Sequence, residues 1–222
     1  MQPRHKYLIS FFIFFFSALP RVAFSTEKKF QIIIDPGHGG NDTGALQNKI
    51  KESQLVLILA EKIEHLIHQQ APEVSTILTR TQNKYLSLEE RIKYDQADLF
   101  LSLHANSSIS NQVAGMEAYF QPDQKIIATT PLQTIVQDLE SMGKTQQSLQ
   151  FSKILQSQWG ISPSVLRRSS FFVVEKTKSA AVLIEIGFLT NPSEAKKLAT
   201  EDYQNQIAQT IVNAVLSYNT KN

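Results

Sequence analysis

Apolar and polar positions follow two different periods along this chain. Phe30-Gln31-Ile32-Ile33-Ile34-Asp35 is a continuous β-branched run, as expected for a strand buried on both faces. Pro36-Gly37-His38-Gly39-Gly40 breaks it into a loop. From Glu52 to about Gln70 the period becomes helical, with Leu55, Val56, Leu59, Ile63, Leu66 and Ile67 in one sector. Val74–Thr79, Leu99–Leu103, Met116–Phe120, Phe171–Val174 and Val182–Ile186 read as further strands. Ser87–Tyr94 reads as a short helix, with Ser87 and Glu90 spaced as a capping box. Pro131–Trp159 reads as mostly helical, with a break near Gly143. Asn191-Pro192-Ser193-Glu194 combines a cap, a proline at the first position and an acid in the first turn, which starts a helix. A last helix over Asp202–Ser217 carries Ile207, Ile211, Val215 and Tyr218 on one stripe. Strands alternating with helices predict one α/β domain, a twisted, mostly parallel or mixed sheet flanked by helices.

The first 25 residues stand outside this pattern. Arg4, His5 and Lys6 precede a nearly all-apolar run from Tyr7 to Leu19, followed by Pro20 and Ala23-Phe24-Ser25. A basic start, an apolar middle and small residues at the end are the layout of a secretory signal peptide. The run is short for a membrane span, which needs about 20 residues. Residues 1–25 are therefore expected to be a cleaved leader, with an uncleaved anchor as the alternative, and residues 26–222 to be the working domain. The protein is expected to be exported, to the periplasm or to the cell wall outside, with no stable membrane span after cleavage.

Charge changes meaning once the leader is set aside. The full chain carries +2, but removing Arg4, Lys6 and Arg21 leaves 19 basic against 20 acidic residues, or −1. No basic stripe marks a nucleic-acid partner. The absence of cysteine excludes a disulfide framework and thiolate metal ligands, so a metal here needs histidine and carboxylate.

Four positions each break a structural rule. His38 follows a buried strand directly, inside a glycine-rich turn, where open α/β sheets place their ligands. Glu52 points into the middle of the apolar sector of its helix, one turn before that sector begins. A carboxylate aimed at the core needs a partner; the plain alternative is a helix-start acid satisfied by free backbone N–H groups. His104 ends the run Leu99-Phe100-Leu101-Ser102-Leu103 and is the second histidine to follow a strand directly. Two histidines and one carboxylate form a ligand set of the kind catalytic zinc sites use, with one position left open. Asp35 or the backbone is the expected partner orienting His38. Glu185 lies within Val182-Leu183-Ile184-Glu185-Ile186, where an acid is either a buried salt-bridge partner or a general base beside the metal. His65 and His68 lie away from the apolar stripe of their helix and read as solvated.

Together with their neighbours, these positions resemble the zinc-dependent, type 3 N-acetylmuramoyl-L-alanine amidase family. The resemblance rests on Ile33 to Ala45, on Lys51-Glu52, on Ala97-Asp98-Leu99-Phe100-Leu101-Ser102-Leu103-His104-Ala105-Asn106 and on Val182 to Asn191, and it spans about residues 30 to 218. It implies His38, Glu52 and His104 as zinc ligands and Glu185 as the catalytic glutamate. The implied reaction is hydrolysis of the lactyl amide joining N-acetylmuramic acid to L-alanine in peptidoglycan. Asn106 and Arg80 match positions near the family's cleft; Arg167 is a candidate for stem-peptide carboxylates. Ala180-Ala181 departs from the family pattern, and the helix before Ala97 looks one turn short, but neither touches a ligand. Some family members carry a long insertion with a helix that blocks the zinc; residues 121–163 here are short and ordinary, so little autoinhibition is expected. Peptidoglycan is the expected partner, a protein activator is left open as a second, and no separate wall-binding module is visible. The rival readings are a zinc peptidase trimming stem peptides and a wall-binding protein that kept the fold without the chemistry.

Overall fold

The structure is a computed structural model that describes residues 29–47, 49–93, 96–122 and 131–220; the expected leader, residues 1–25, lies outside the described residues. The first apolar run forms β1 (Gln31–Pro36), and the helical sector forms α1 (Glu52–Gln70) with the bounds its periodicity predicts. Between them, β2 (Leu46–Gln47) and β3 (Ile50–Lys51) make a small antiparallel hairpin. Then come β4 (Ser75–Leu78), α2 (Leu88–Arg91), β5 (Leu99–Asn106) and β6 (Met116–Phe120). The Ser87–Glu90 capping box forms as expected. Next are α3 (Pro131–Gln158), β7 (Ser164–Arg168), α4 (Phe172–Lys176) and β8 (Ala180–Phe188), followed by α5 (Pro192–Leu198) and α6 (Glu201–Asn219).

Two expectations are corrected. Phe171–Val174 lies mostly in a short helix, α4: its apolar residues bury Val173 and Val174 from one helical turn. A four-residue apolar run fits one helical turn as well as a strand, so periodicity alone does not separate them. The expected break near Gly143 is absent, and α3 runs through it as one helix. β7, a half-exposed strand at the sheet edge, was not anticipated.

The six-stranded sheet has the order β4-β1-β5-β8-β6-β7. β4, β1, β5 and β8 run parallel, and β6 joins β8 antiparallel. This mixed, mostly parallel α/β sheet is the architecture the sequence predicts. One face packs on α1, α3 and α6 through a large core that includes Ile32, Ile34, Leu101, Leu103, Val182, Ile184, Leu59, Ile63, Phe151 and Ile211. The other face holds a smaller cluster, Ile33, Phe100, Ala181, Leu183, Val173 and Val174. Side chains on that second face form rows across the strands, because register aligns every second residue. The first row is Ile77, Ile33, Phe100 and Ala181; the next is Asp35, Ser102, Leu183 and Tyr119. The third row, at the C-terminal ends of the parallel strands, is His104, Glu185 and Glu117. Polarity thus rises along one face toward the strand ends, where open α/β sheets bind their ligands. None of the described helices is long and apolar enough to cross a membrane.

Candidate metal centre

His38, Glu52 and His104 converge, with one ligand atom from each lying within 4.8 Å of the others. Glu52 Oε1 is 3.0 Å from His38 Nε2 and 3.0 Å from His104 Nδ1. The two imidazole rings stand edge to face, 4.9 Å between centres. Glu52 opens α1 but accepts no bond from that helix. It takes the backbone N–H of Ala45 on Oε2 and that of Ala105 on Oε1. The helix-start explanation of this acid is thereby set aside: its carboxylate is directed across the site. Glycines make the convergence possible. A Cβ on Gly37 would stand 2.3 Å from His104 Cε1, and one on Gly44 would stand 2.4 Å from Glu52 Oε2.

Charge in the cluster is tightly coupled. Burial alone would lower the His38 pKa, but the bonds and charge of Glu52, helped by Asp42, override it and raise it to about 9. Burial alone would raise that of Glu52, yet His104 and His38 hold it well below the ordinary carboxylate range. Two nitrogen donors and an ionised oxygen, held by separate elements, fit a borderline cation such as Zn2+. His38 Nδ1 meets Asp42 Oδ2 at 2.9 Å, the carboxylate contact that fixes the tautomer of a metal-bound histidine. Asp35 does not take that role. It accepts from Thr79, Arg91 and Ser102 beneath the loop instead. The signal for Asp42 was a carboxylate four residues past His38 in a tight glycine turn.

Glu185 faces this set from β8. Its Oε2 is buried and has no hydrogen-bond partner among the described residues, which calls for an explanation. Burial, then the charges of Glu52 and Glu117, raise its pKa to about 8. Directly across the strand pair, Glu117 is fully engaged. Arg167 donates to its Oε1 at 2.7 Å, and Tyr119 and Asn106 donate to its Oε2 at 2.6 and 3.0 Å. Two like charges opposite one another are unfavourable, and here one is neutralised by Arg167 while the other tends to hold its proton.

Comparison with known proteins decides what this arrangement belongs to. The N-acetylmuramoyl-L-alanine amidase family model matches residues 32–217, a span that contains all four of these residues. The chain belongs to the N-acetylmuramoyl-L-alanine amidase family. It is 32% identical to the uncharacterized protein YqiI of Bacillus subtilis over 84% of each chain. It is 31% identical to the N-acetylmuramoyl-L-alanine amidase LytC of Bacillus subtilis; the match covers 84% of this chain but only 35% of LytC. Among solved structures, the catalytic domain of the amidase CwlV from Bacillus (Paenibacillus) polymyxa superposes with a TM-score of 0.72 at 29% identity, covering 86% of this chain and 98% of that one.

Within this amidase fold the remaining expected residues are spread out. Asn106 and Arg167 stand beside the centre, both bonded to Glu117, with the Arg167 side chain about half exposed. Arg80 lies beneath the Pro36–Gly40 loop, 4% exposed, with all its described bonds to backbone carbonyls. His65 and His68 are exposed on α1, away from the centre. A cleft of about 380 Å³ leads to His38, His104 and Glu185 between apolar walls that include Tyr85, Leu88 and Phe171. A larger cavity, about 520 Å³, opens at the opposite strand ends beside Lys29, Asp98 and Lys178 and contains none of the four residues.

Proposed function

We propose that this chain is a zinc-dependent N-acetylmuramoyl-L-alanine amidase that hydrolyses the lactyl amide between N-acetylmuramic acid and L-alanine in peptidoglycan. The observation that carries the proposal is the convergence of His38, Glu52 and His104 on one point, faced by the unpartnered carboxylate oxygen of Glu185. His38 and His104, as neutral imidazoles, and Glu52, as a carboxylate, would hold Zn2+. The ion supplies Lewis acidity to the amide carbonyl and to the attacking water. Glu185 accepts a proton from that water and returns it to the leaving nitrogen, so that the amine departs neutral. Its raised pKa, about 8 before any metal is bound, suits a group that must both take and give a proton near neutrality. Asp42 fixes the ring of His38. Asn106 and Arg167 lie where they can orient the substrate beside Glu185, Arg167 toward stem-peptide carboxylates. The leader reading places the work outside the cytoplasm, on the wall, with residues 26–222 as the catalytic domain.

The deciding experiment is mass spectrometry of soluble products after residues 26–222 are mixed with purified sacculi, with zinc and then with chelator. Zinc-dependent release of intact stem peptides beginning with free L-alanine is expected. Peptides trimmed from either end would support the peptidase reading, and a zinc-loaded protein that releases nothing would support a binding role or a missing activator.

A further inference from the structure

We propose that Arg80 and Arg91 are positioning residues that act as a two-armed clamp on the backbone of Pro36-Gly37-His38 and so set the His38 ring for the metal. The inference rests on the reading of His38 as a ligand. Both arginines are 4% exposed, yet neither is a simple ion-pair partner. Three successive carbonyls of the loop turn toward them. Arg80 Nε donates to Pro36 O at 2.9 Å and Arg80 Nη2 to Gly37 O at 2.7 Å. Arg91 Nη1 donates to Pro36 O at 2.9 Å and Arg91 Nη2 to His38 O at 2.8 Å.

Carbonyl dipoles aligned side by side repel, and a glycine-rich loop left to itself has many other conformations. Two guanidinium groups below the loop reverse that repulsion and select one conformation. The one selected is unusual: His38 has φ 57°, in the left-handed region that residues other than glycine seldom adopt. Holding His38 there turns its carbonyl down to Arg91 while its ring meets Glu52 and His104. The clamp also reaches a second ligand, because Arg80 Nη2 donates to Ser53 O, next to Glu52, at 2.8 Å. Arg91 in turn is fixed by Asp35 at 2.9 Å. The planar fork of arginine holds its acceptors at fixed, separated directions, whereas the ammonium of lysine gathers them around one nitrogen. This explains two cations buried beneath a site that itself has to bind a cation: their donors are taken up by backbone oxygens and, for Arg91, by the Asp35 carboxylate.

The test uses Arg80→Lys and Arg91→Lys, which keep the charge and lose the fork. Each variant is compared with the unsubstituted chain for zinc affinity by chelator competition and for the visible absorption of bound cobalt(II). Zinc affinity is expected to fall about 10–100-fold, the usual effect of removing a group that orients a ligand, and the cobalt spectrum to change. Equal zinc affinity with an unchanged spectrum would overturn the inference, however much the melting temperature falls. If the unsubstituted chain takes up no zinc, the ligand assignment fails and this inference fails with it. If it takes up zinc and both variants match it, only the inference fails. Should either variant not fold, NMR of the unsubstituted, metal-free protein decides. Its Arg80 and Arg91 guanidinium protons should be resolved and slow to exchange before metal is added, and ordering that comes only with zinc would overturn the clamp.

Discussion

Glu185 is the residue whose surroundings say most about the chemistry. It sits in the middle of a buried strand, opposite Glu117 on one side and His104 on the other. Because it is not among the three converging ligand atoms, its loss should leave the metal in place. Glu185→Ala is expected to keep zinc affinity while activity on sacculi falls on the order of 10²–10⁴-fold. Metal content and turnover measured on the same preparation check this, and a parallel loss of zinc would move Glu185 into the ligand set. His38 supports a second prediction. With a pKa of about 9 in the metal-free protein, it carries a proton that zinc has to displace at neutral pH. The apparent zinc affinity should therefore rise with pH, about tenfold per unit, and level off as pH passes about 9. The same shift makes the metal-free cluster stabilising below pH 6.5, the ordinary histidine value, with that contribution lost as pH rises through about 9. Competition titrations across pH test the first part, and a zinc affinity flat between pH 6 and 8 would contradict it. Of the residues involved, those that broke a local rule were legible in the sequence: His38 after a strand, His104 at the end of an apolar run (though β5 continues through it to Asn106), Glu52 in an apolar sector, Glu185 in a buried strand. Arg91 was not, because a charged residue in a short helix breaks no rule until its partners are known; Asp42 and Glu117 each left a signal, a carboxylate four residues past His38 and an acid in a buried strand, that points to no role until its partners are known.

The elements show the same division. α1 and α6 were readable because each buries a long apolar stripe in the large core, and periodicity over many residues is hard to mistake. β7 and α4 were not. β7 is half exposed at an edge, and α4 is a single turn whose apolar run fits either period. The β2–β3 hairpin is too short to carry any pattern. α1 matters most for the site, since it begins at Glu52 and its buried face fixes where that carboxylate points. Leu59 is fully buried in that face, so Leu59→Ala should destabilise the protein by about 2–5 kcal/mol through lost contacts and the remaining cavity. Leu59 lies two turns from Glu52, so the folded fraction should still bind zinc. Urea unfolding with and without metal separates the two effects; a loss below about 1 kcal/mol would mean that α1 is anchored mainly elsewhere.

Across the whole molecule, the ligand set joins segments far apart in the chain. His38 follows β1, Glu52 starts α1 and His104 lies near the end of β5, so one ion would cross-link three elements that the unfolded chain holds apart. A ligand that binds only the folded state stabilises it by mass action, by about 2.7 kcal/mol at one hundred times its dissociation constant. In a protein of this size each kcal/mol moves the melting temperature by about 2–4 °C. Zinc at that excess is therefore expected to raise the melting temperature by roughly 5–11 °C, and chelator should reverse the rise. His104→Ala removes one of the three donors and should abolish most of the shift while leaving the large core on α1, α3 and α6 intact. Calorimetry on both proteins, with zinc and with chelator, checks the pair. An equal rise in the unsubstituted chain and in His104→Ala would mean that the stabilising ion binds somewhere other than between β1, α1 and β5. No rise in either would mean that zinc at that concentration does not bind the folded chain, because binding to the folded state alone has to stabilise it, and the assignment of His38, Glu52 and His104 as ligands would fail.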